Sequence, residues 1–478
     1  MRRARQDQER MQMTERMRRM RHATATGAGL AAGLTAGLAA LPVWAQEAAP
    51  AAAEGSVTAA AEATAAIIEK GDVAWMMVSS LLVLFMLIPG LALFYGGLVR
   101  VKNMLSVLMQ CTMIGALVMV IWAVYGYSFA FGGGTSPFWG GLGKLFLAGV
   151  TPDSTAATFT DGVVLPEYVF IAFQMTFAAI TPALIVGAFA ERIKFGAVML
   201  FTALWVTFVY FPVAHMVWDA SGLIYNLGAI DFAGGTVVHI NAGVAALVAA
   251  VVIGPRIGYG RENLAPHSMT LTLVGAAMLW VGWFGFNAGS NLEATAGATL
   301  AMLNTFLATA GAILAWTLIE NAVNGKPSLL GAASGMIAGL VAITPACGTT
   351  GPIGAIVLGA AASAVCYVFV AKVKHRLGYD DSLDVFGIHG VGGIVGAIGT
   401  GILCAPALGG TGYVAEGGTM GAQIVAQVTG VIITILWSGI GSLVILYVVR
   451  AVTGLRVKEE VEREGLDLAS HGERAYSY

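Results

Sequence analysis

Two histidines inside long apolar runs, His239 and His389, are the residues whose type and setting most directly suggest chemistry. A neutral imidazole has one hydrogen-bond donor and one acceptor, so two touching rings could bond each other and still offer an edge to a small polar guest. Such a pair could pass a neutral molecule or relay a proton, whereas charging both rings is strongly disfavoured. Each histidine taken alone could instead be a buried residue that bonds a carbonyl group.

Acidic and aromatic residues lie close in sequence to the first histidine. Trp218 ends an apolar run beside Asp219, and Asp231 precedes His239 by eight residues, about 12 Å along a continuous helix. A tryptophan here is either an interfacial anchor or, beside acidic groups, a cation–π face for a small monovalent cation. The spacing alone leaves both interpretations open.

Two phenylalanines are further candidates. Phe173 lies inside the third apolar run, and Phe286 precedes Ser290 by four residues, so this second ring and the hydroxyl share a helix face. Packing in the core is the alternative for each ring. The sequence has no Walker A loop, GxSxG elbow or HExxH pair, so we expect no hydrolase or ATPase chemistry and no enzyme.

The composition restricts the class of protein. Of 478 residues, 57% are hydrophobic and 11% are charged, too few to cover a soluble protein of this size. The formal charge of -2, from 25 Lys and Arg against 27 Asp and Glu, gives no field that favours nucleic acid. The four cysteines show no CxxC spacing, so we expect packed side chains rather than a metal cluster or disulfides; they are Cys111, Cys347, Cys366 and Cys404.

Long apolar runs separated by short polar breaks recur from residue 73 onward. A helix needs about 20 apolar residues to cross a bilayer, whereas barrel strands alternate and are about ten residues long. The runs therefore predict an all-α integral membrane protein. We expect eleven transmembrane helices, at 73–98, 104–131, 167–190, 196–217, 233–253, 269–287, 297–319, 329–344, 352–371, 384–403 and 420–449.

Basic residues divide the connecting loops into two sets, because one set carries only Lys144. Cytoplasmic loops collect Lys and Arg, so the other set should face the cytoplasm, with the mature N-terminus outside and the C-terminus inside. That set contains Arg100, Lys102, Arg192, Lys194, Arg256, Arg261, Lys326, Lys372, Lys374 and Arg376.

The two histidines lie five predicted helices apart. A repeat of five helices crosses the membrane an odd number of times, so its second copy enters from the opposite side. This spacing predicts a five-plus-five inverted repeat and a final helix, with both histidines facing a shared pathway near the midplane.

The amino end follows a secretory signal layout. Eight arginines in residues 1–21 precede a weakly apolar stretch at 23–41 and small residues suited to cleavage after Ala45. Met17 begins a shorter version of this layout and is a second candidate start; a first transmembrane helix at 23–41 is the alternative. We predict a signal peptide over 1–45, an Ala-rich periplasmic leader over 46–72, a membrane domain over 73–450 and a cytoplasmic tail over 451–478.

Five segments, together with the tail, closely resemble the bacterial ammonium transporters of the Amt/Mep/Rh family, AmtB type. They occur in the same order as in that family, and the resemblance extends from about residue 72 to the end. The segments are 93–100, 188–192, 231–241, 282–290 and 384–390.

The resemblance implies roles for the outer candidates. Trp218 and Ser290, with Phe173, would form the ammonium-recruiting site, and Phe173 and Phe286 would form the stacked aromatic gate below it. Asp231 would orient this site rather than touch the ion.

The resemblance also implies roles along the pathway and for partners. His239 and His389 would be the twin-histidine pair, and Asp384 a carboxylate near the inner end of the tenth helix. Ammonium would lose a proton outside and cross as ammonia, with or without a separate proton. Relatives form homotrimers in the inner membrane and bind a PII-type protein of the GlnK kind, and methylammonium serves as the substrate analogue.

Other functions are compatible with the same residues. Two intramembrane histidines could be the axial ligands of a haem, although the resemblance implies no cofactor. An ammonium sensor coupled to PII signalling is closer, but the tail after Arg450 is too short for an appended catalytic domain. A general channel for gases or urea is the remaining transporter alternative.

Overall fold

The computed structural model describes residues 66–477. The predicted signal peptide and most of the predicted leader lie outside these residues. Each of the eleven predicted apolar runs coincides with a helix, and we number these helices α1 to α11 in chain order. Among the described residues, ten helices are long and apolar enough to cross a membrane by length and composition: α1 Lys70–Leu98, α2 Val101–Phe131, α3 Glu167–Phe189, α4 Phe195–Asn226, α5 Gly235–Ile253, α6 Met269–Gly289, α7 Ala296–Asn324, α9 Pro352–Leu377, α10 Phe386–Leu403 and α11 Met420–Val452.

The remaining apolar helix, α8, spans Leu329–Ile343 and has only 15 residues. At 1.5 Å per residue it is about 22 Å long, less than the hydrocarbon thickness of about 30 Å. The fold is therefore an all-helical, multi-pass membrane fold with at least ten candidate spans in the described part.

Hydroxyl side chains fix the first turns of three of these helices. Ser268, Ser328 and Thr419 each accept a hydrogen bond from the backbone N–H three residues later, at the starts of α6, α8 and α11. Such caps satisfy one of the four N–H groups that a helix start leaves without a partner. In hydrocarbon the rest of the backbone must be satisfied within the helix, which explains why the apolar runs are helical.

Little of the described chain is extended. Strands β1 (Thr155–Ala157) and β2 (Val164–Pro166) pair antiparallel in the α2–α3 loop. Short 3-10 turns occupy Leu145–Leu147 and Pro406–Leu408, and a short helix, α12, spans Glu459–Glu464. The four cysteines are all buried, as the sequence predicts, and each is a free thiol in the structure.

One buried arginine connects three loops at one end of the bundle. Arg192 is fully buried and donates hydrogen bonds to the carbonyl groups of Ala188, Ala190, Gly254 and Asp380 and to the Ser382 hydroxyl. A guanidinium has five N–H donors and no acceptor, so these five hydrogen bonds use every donor of Arg192. The α3–α4, α5–α6 and α9–α10 loops are thereby held together.

A buried ion-pair network lies beside Arg192. Glu191 accepts from Arg100 at 2.9 Å and from Arg256 at 3.3 Å, and Arg256 also pairs with Asp380 at 2.9 Å. Burial alone would raise the pKa of Glu191, but hydrogen bonds from Arg100 and the charge of Arg256 outweigh burial, so this pKa is lowered. Burial alone would also raise the pKa of Asp380, but the hydrogen bond and charge of Arg256 outweigh burial, so this pKa is lowered as well.

We expect Glu191→Gln to destabilise the protein by roughly 3 kcal/mol at pH 7, the cost of removing one partner from a buried pair. A carboxyl with a lowered folded-state pKa stabilises the fold above its unfolded pKa of about 4, and this contribution is lost as pH falls through the folded pKa. Thermal unfolding of the detergent-solubilised protein should show a gap between wild type and variant that narrows below about pH 4. Glu459→Gln, which removes an exposed pair with Arg463, is the control and should change little.

The C-terminal tail packs against the same end. Asp467 accepts hydrogen bonds from the backbone N–H groups of Leu105 at 3.0 Å and Ser106 at 2.8 Å, near the start of α2. Glu462 accepts from the N–H of Ile257 at 2.8 Å in the α5–α6 loop. The tail is therefore part of the folded unit.

Candidate functional site

The two histidines meet in the interior of the bundle. Each lies in a π-helical turn, His239 in Gly235–Ile240 at the start of α5 and His389 in Phe386–Gly390 at the start of α10. Their Nδ1 atoms are 3.2 Å apart, and the rings are stacked with centroids 5.2 Å apart. The juxtaposition predicted from sequence is present. Because the rings bond each other directly, no iron atom fits between them, which argues against a haem with these two axial ligands.

The hydrogen bond between the rings fixes what they offer to a guest. One Nδ1 must donate and the other must accept, so one ring has a bare Nε2 and the other a protonated Nε2. The Nε2 atom of His239 is buried and has no protein partner. The pair can therefore donate to and accept from a small polar molecule without becoming charged.

A glycine allows the two histidine helices to approach closely. A Cβ atom on Gly243 would lie 2.3 Å from the backbone nitrogen of Gly390, so only glycine fits here. Trp283 stacks on His239 with centroids 5.3 Å apart, and its Nε1 donates to the Thr344 hydroxyl. The histidine pair is thus held between a helix contact on one side and an indole on the other.

A cavity of about 10 Å³ lies against the histidine pair. This volume is about what one buried water molecule requires. Its wall is almost entirely apolar apart from the imidazoles, and includes Phe94, Leu184, Trp283 and Phe286. The space suits a small neutral guest and would strip a hydrated ion of its water.

Two stacked phenylalanines lie next to the histidines, but one of them is not the residue we expected. The ring stacked on Phe286 is that of Phe177, with centroids 4.1 Å apart and planes 25° apart. Phe173 instead meets Phe177 edge-on at 4.9 Å. The prediction that Phe173 and Phe286 form the stacked pair is wrong. Phe177 lies one helical turn further along α3, and the i, i+4 spacing in the sequence could have revealed it.

The remaining candidates continue the path away from the histidines. Phe286 lies 5.9 Å from the His239 ring, and Trp218 meets Phe177 edge-on at 5.8 Å, both between ring centroids. The Ser290 hydroxyl donates to the carbonyl of Phe286 at 2.8 Å, which leaves its lone pairs free. An unbroken series of ring contacts therefore connects Trp218 with the histidine pair.

Asp231 orients this region through hydrogen bonds. Its carboxylate accepts from the backbone N–H groups of Gly234 at 3.2 Å, Thr236 at 2.9 Å and Val237 at 3.0 Å, at the start of the turn that carries His239. The backbone carbonyl of Asp231 accepts from Nε1 of Trp218 at 3.0 Å. These contacts leave the carboxylate occupied.

The second histidine has an equivalent carboxylate that the sequence reasoning missed. Asp381 precedes His389 by eight residues, as Asp231 precedes His239, and accepts from the N–H of Phe386 at 2.7 Å. Burial and the charge of Asp384 raise the pKa of Asp381 to about 6. Asp384, the residue we named, pairs with Lys374 instead. The repeated spacing of eight was the signal available in the sequence.

Comparison with known proteins decides the family. A family model described as the Ammonium Transporter Family matches residues 74–476. The chain belongs to the ammonium transporter family. It is 49% identical to an "Ammonium transporter" of Aquifex aeolicus over 422 residues, 87% of this chain and 96% of that relative. It is 45% identical to an "Ammonium transporter" of Bacillus subtilis over 412 residues, 85% of this chain and 99% of that relative.

Solved structures of the family have the same fold. The crystal structure of Saccharomyces cerevisiae Mep2 matches with a TM-score of 0.74 and 35% identity, covering 82% of this chain and 88% of Mep2. A "Sensor Amt Protein" matches with a TM-score of 0.77 and 28% identity, covering 84% of this chain and 98% of that chain. The family member therefore has the family's membrane fold over most of its length.

Proposed function

We propose that the protein transports ammonium by recruiting the ion at Trp218, Phe177 and Ser290, removing a proton, and conducting ammonia past His239 and His389. The series of ring contacts from Trp218 to the histidine pair is the observation that carries this proposal. This series has an indole, whose face suits a cation, at one end and a hydrogen-bonding imidazole pair at the other.

Desolvation explains why ammonia, rather than ammonium, would cross the narrow part. An isolated ion in an apolar medium loses hydration worth tens of kcal/mol in the idealised limit. Aromatic faces compensate for only about 1 to 2 kcal/mol each. A neutral molecule avoids most of this penalty, and the imidazole pair supplies one donor and one acceptor along its way.

Methylammonium uptake by cells that lack their own transporter tests the recruiting role. We expect Trp218→Ala to raise the apparent KM at least tenfold, because the indole face and its bond to Asp231 are both lost. Trp316→Ala is the matched control, because Trp316 is buried against Tyr367 rather than along this path and its loss should leave KM unchanged. Equal KM values for Trp218→Ala and wild type would refute the recruiting site.

Ser290→Ala should raise the apparent KM for methylammonium about three- to tenfold without changing the maximal rate. The reason is that the hydroxyl already donates to Phe286, so its lone pairs can accept one hydrogen bond from the ion, worth about 1 kcal/mol. Uptake kinetics measure both parameters. Thr309→Val removes a comparable hydroxyl that bonds its own helix in α7, and it should change neither.

The proposed topology has eleven crossings as a five-plus-five inverted repeat and a final helix, with the N-terminus outside and the C-terminus inside the inner membrane. Two observations support it. Each histidine lies in a π-helical turn, eight residues after a carboxylate that caps this turn. The basic α1–α2, α3–α4, α5–α6 and α9–α10 loops meet the tail at one end. Cleavage of 1–45, with 46–72 as a periplasmic leader, completes this arrangement.

The partners proposed are those the resemblance implies: two further copies in a homotrimer, and a PII-type protein of the GlnK kind at the cytoplasmic end. The docked tail supports the second partner, since it forms part of the surface that such a protein would contact. A sensor coupled to PII is the second candidate function, and the match to a "Sensor Amt Protein" favours testing it. Methylammonium binding without flux would identify a sensor, and urea competition with methylammonium a general channel.

A further inference from the structure

A third histidine of the interior, His215, has no role in the pathway described above. It lies in α4, three residues before Trp218, and is fully buried. Its Nδ1 is 2.7 Å from the carbonyl oxygen of Ala130, at the end of α2, and its Nε2 is 2.7 Å from the carbonyl oxygen of Ser136 in the following loop. The Ser221 hydroxyl lies 3.2 Å from Nε2.

The two carbonyl contacts determine how many protons the ring carries. A carbonyl oxygen only accepts hydrogen bonds, and a neutral imidazole has a single N–H donor. A neutral ring would therefore place a nitrogen lone pair 2.7 Å from an oxygen lone pair on one side or the other. Only the imidazolium, which donates from both nitrogens, satisfies both contacts.

The surroundings of His215 suit a positive charge. Asp219 has a carboxylate oxygen 3.9 Å from Nδ1, and it is the only ionisable group paired with this ring among residues 66–477. The elements packed on the ring's other contacts present the backbone carbonyls of Ala130 and Ser136 and the hydroxyl of Ser221. His215 also lies in the last turn of the helical segment Phe211–Trp218 within α4, where the helix dipole favours a cation.

Asp219 and Ser221 extend the network beyond the ring. The Ser221 hydroxyl donates to Asp219 at 2.6 Å, and the Ser221 backbone N–H donates to the same oxygen at 2.9 Å. The segment just after Trp218 is therefore connected through His215 to the end of α2 and the α2–α3 loop. Asp219 also balances the imidazolium, so the neighbouring recruiting site is not left beside an uncompensated positive charge.

We propose that His215 is a positioning residue which, as an imidazolium, holds the part of α4 that ends at Trp218, and thereby the Trp218 indole, in the recruiting arrangement. This inference rests on the proposed role of Trp218. A side chain that cannot donate to both carbonyl groups would leave one of the two contacts repulsive and weaken recruitment.

Nitrogen NMR on the intact protein tests the protonation directly. The chain has 7 histidines, so ¹⁵N-histidine labelling in nanodiscs gives few signals, and the His215 signals are those missing in His215→Gln. We expect both ring nitrogens of His215 to carry hydrogen at pH 6.5. One protonated and one bare nitrogen at that pH would overturn the proposal, whatever the uptake assays show. The protonation state is read from wild-type protein, and the variant serves only to assign the His215 signals.

Uptake kinetics test the positioning role. We expect His215→Gln, whose neutral amide cannot donate on both sides, to raise the apparent KM for methylammonium at least threefold while the maximal rate stays constant. His267→Gln, which alters a histidine bound to the Val99 carbonyl and Tyr476, should behave as wild type.

Two outcomes separate this inference from the transport proposal. A His215→Gln variant with the wild-type KM would overturn the positioning role and leave transport intact. A Trp218→Ala variant with unchanged KM would instead refute the recruiting site on which the inference rests, while the NMR result would still report the charge of His215.

Discussion

Asp231→Ala is expected to abolish saturable methylammonium uptake, the largest effect of any single change considered for this protein. The carboxylate accepts three backbone hydrogen bonds in the turn that carries His239, and the residue also holds Trp218 through its carbonyl. Removing the carboxylate leaves three buried N–H groups without partners, at about 1 to 3 kcal/mol each. The turn that carries His239 should then rearrange, so that the recruiting site at Trp218 and the histidine pair no longer line up.

An asparagine at the same position gives a graded comparison. Asp231→Asn keeps one acceptor oxygen but introduces an NH₂ group that must face at least one N–H, so we expect intermediate uptake. Asp72→Ala is the matched control, because Asp72 is also a buried carboxylate that accepts a backbone N–H, from Ala294 at 2.7 Å. Normal uptake by Asp231→Ala, with wild-type amounts in the membrane, would show that the turn does not depend on this cap.

Phe177→Ala is expected to reduce saturable methylammonium uptake at least tenfold, whereas Phe173→Ala should reduce it less than threefold. Phe177 is the ring that stacks on Phe286 and contacts Trp218, so its loss removes the gate and one wall of the recruiting site together. Among residues 66–477, the ring contact of Phe173 is an edge-on contact with Phe177, and not one with Phe286 or Trp218. Uptake assays on both variants, normalised to the amount of protein in the membrane, compare the two directly.

Loss of packing must be separated from loss of the gate. Removing a buried phenylalanine costs about 3 to 5 kcal/mol of stability wherever it lies. Phe201→Ala provides the comparison, because Phe201 is equally buried and stacks on Trp205 in α4. An equal loss of uptake in the Phe177 and Phe201 variants would mean that stability, and not the gate, explains the result. A larger loss in Phe173→Ala would restore the pairing we first expected.

The helices could be predicted from the sequence because the bilayer imposes a simple rule. In hydrocarbon, the backbone polar groups of a segment must bond within that segment. The apolar runs alone therefore located the helices α1 to α11. The meeting of His239 with His389 followed from their separation by five helices, which depends only on the parity of crossings. Both predictions use long-range constraints that leave a clear trace in sequence.

It was harder to predict which of two residues about one helical turn apart makes a given contact. Phe173 and Phe177 lie on the same face of α3, and only packing against α6 decides which ring reaches Phe286. Similarly, Asp381 and Asp384 both precede α10 closely, and their backbone conformations decide which one caps the turn and which one pairs with Lys374. From the sequence we named only Phe173 and Asp384, because neither side-chain direction nor turn geometry is visible in it.

The central claim, that ammonia crosses past the histidine pair, is tested most directly by ammonium pulses on liposomes containing purified protein. Lumenal pH and membrane current are recorded together, with protein-free liposomes as the blank for ammonia that crosses lipid. Ammonia entry alone makes the lumen alkaline without current, and a proton that follows adds current and reduces the alkalinisation. We predict a saturable ammonium-dependent signal for wild type that His389→Ala loses. Equal signals from wild type and His389→Ala would contradict the account.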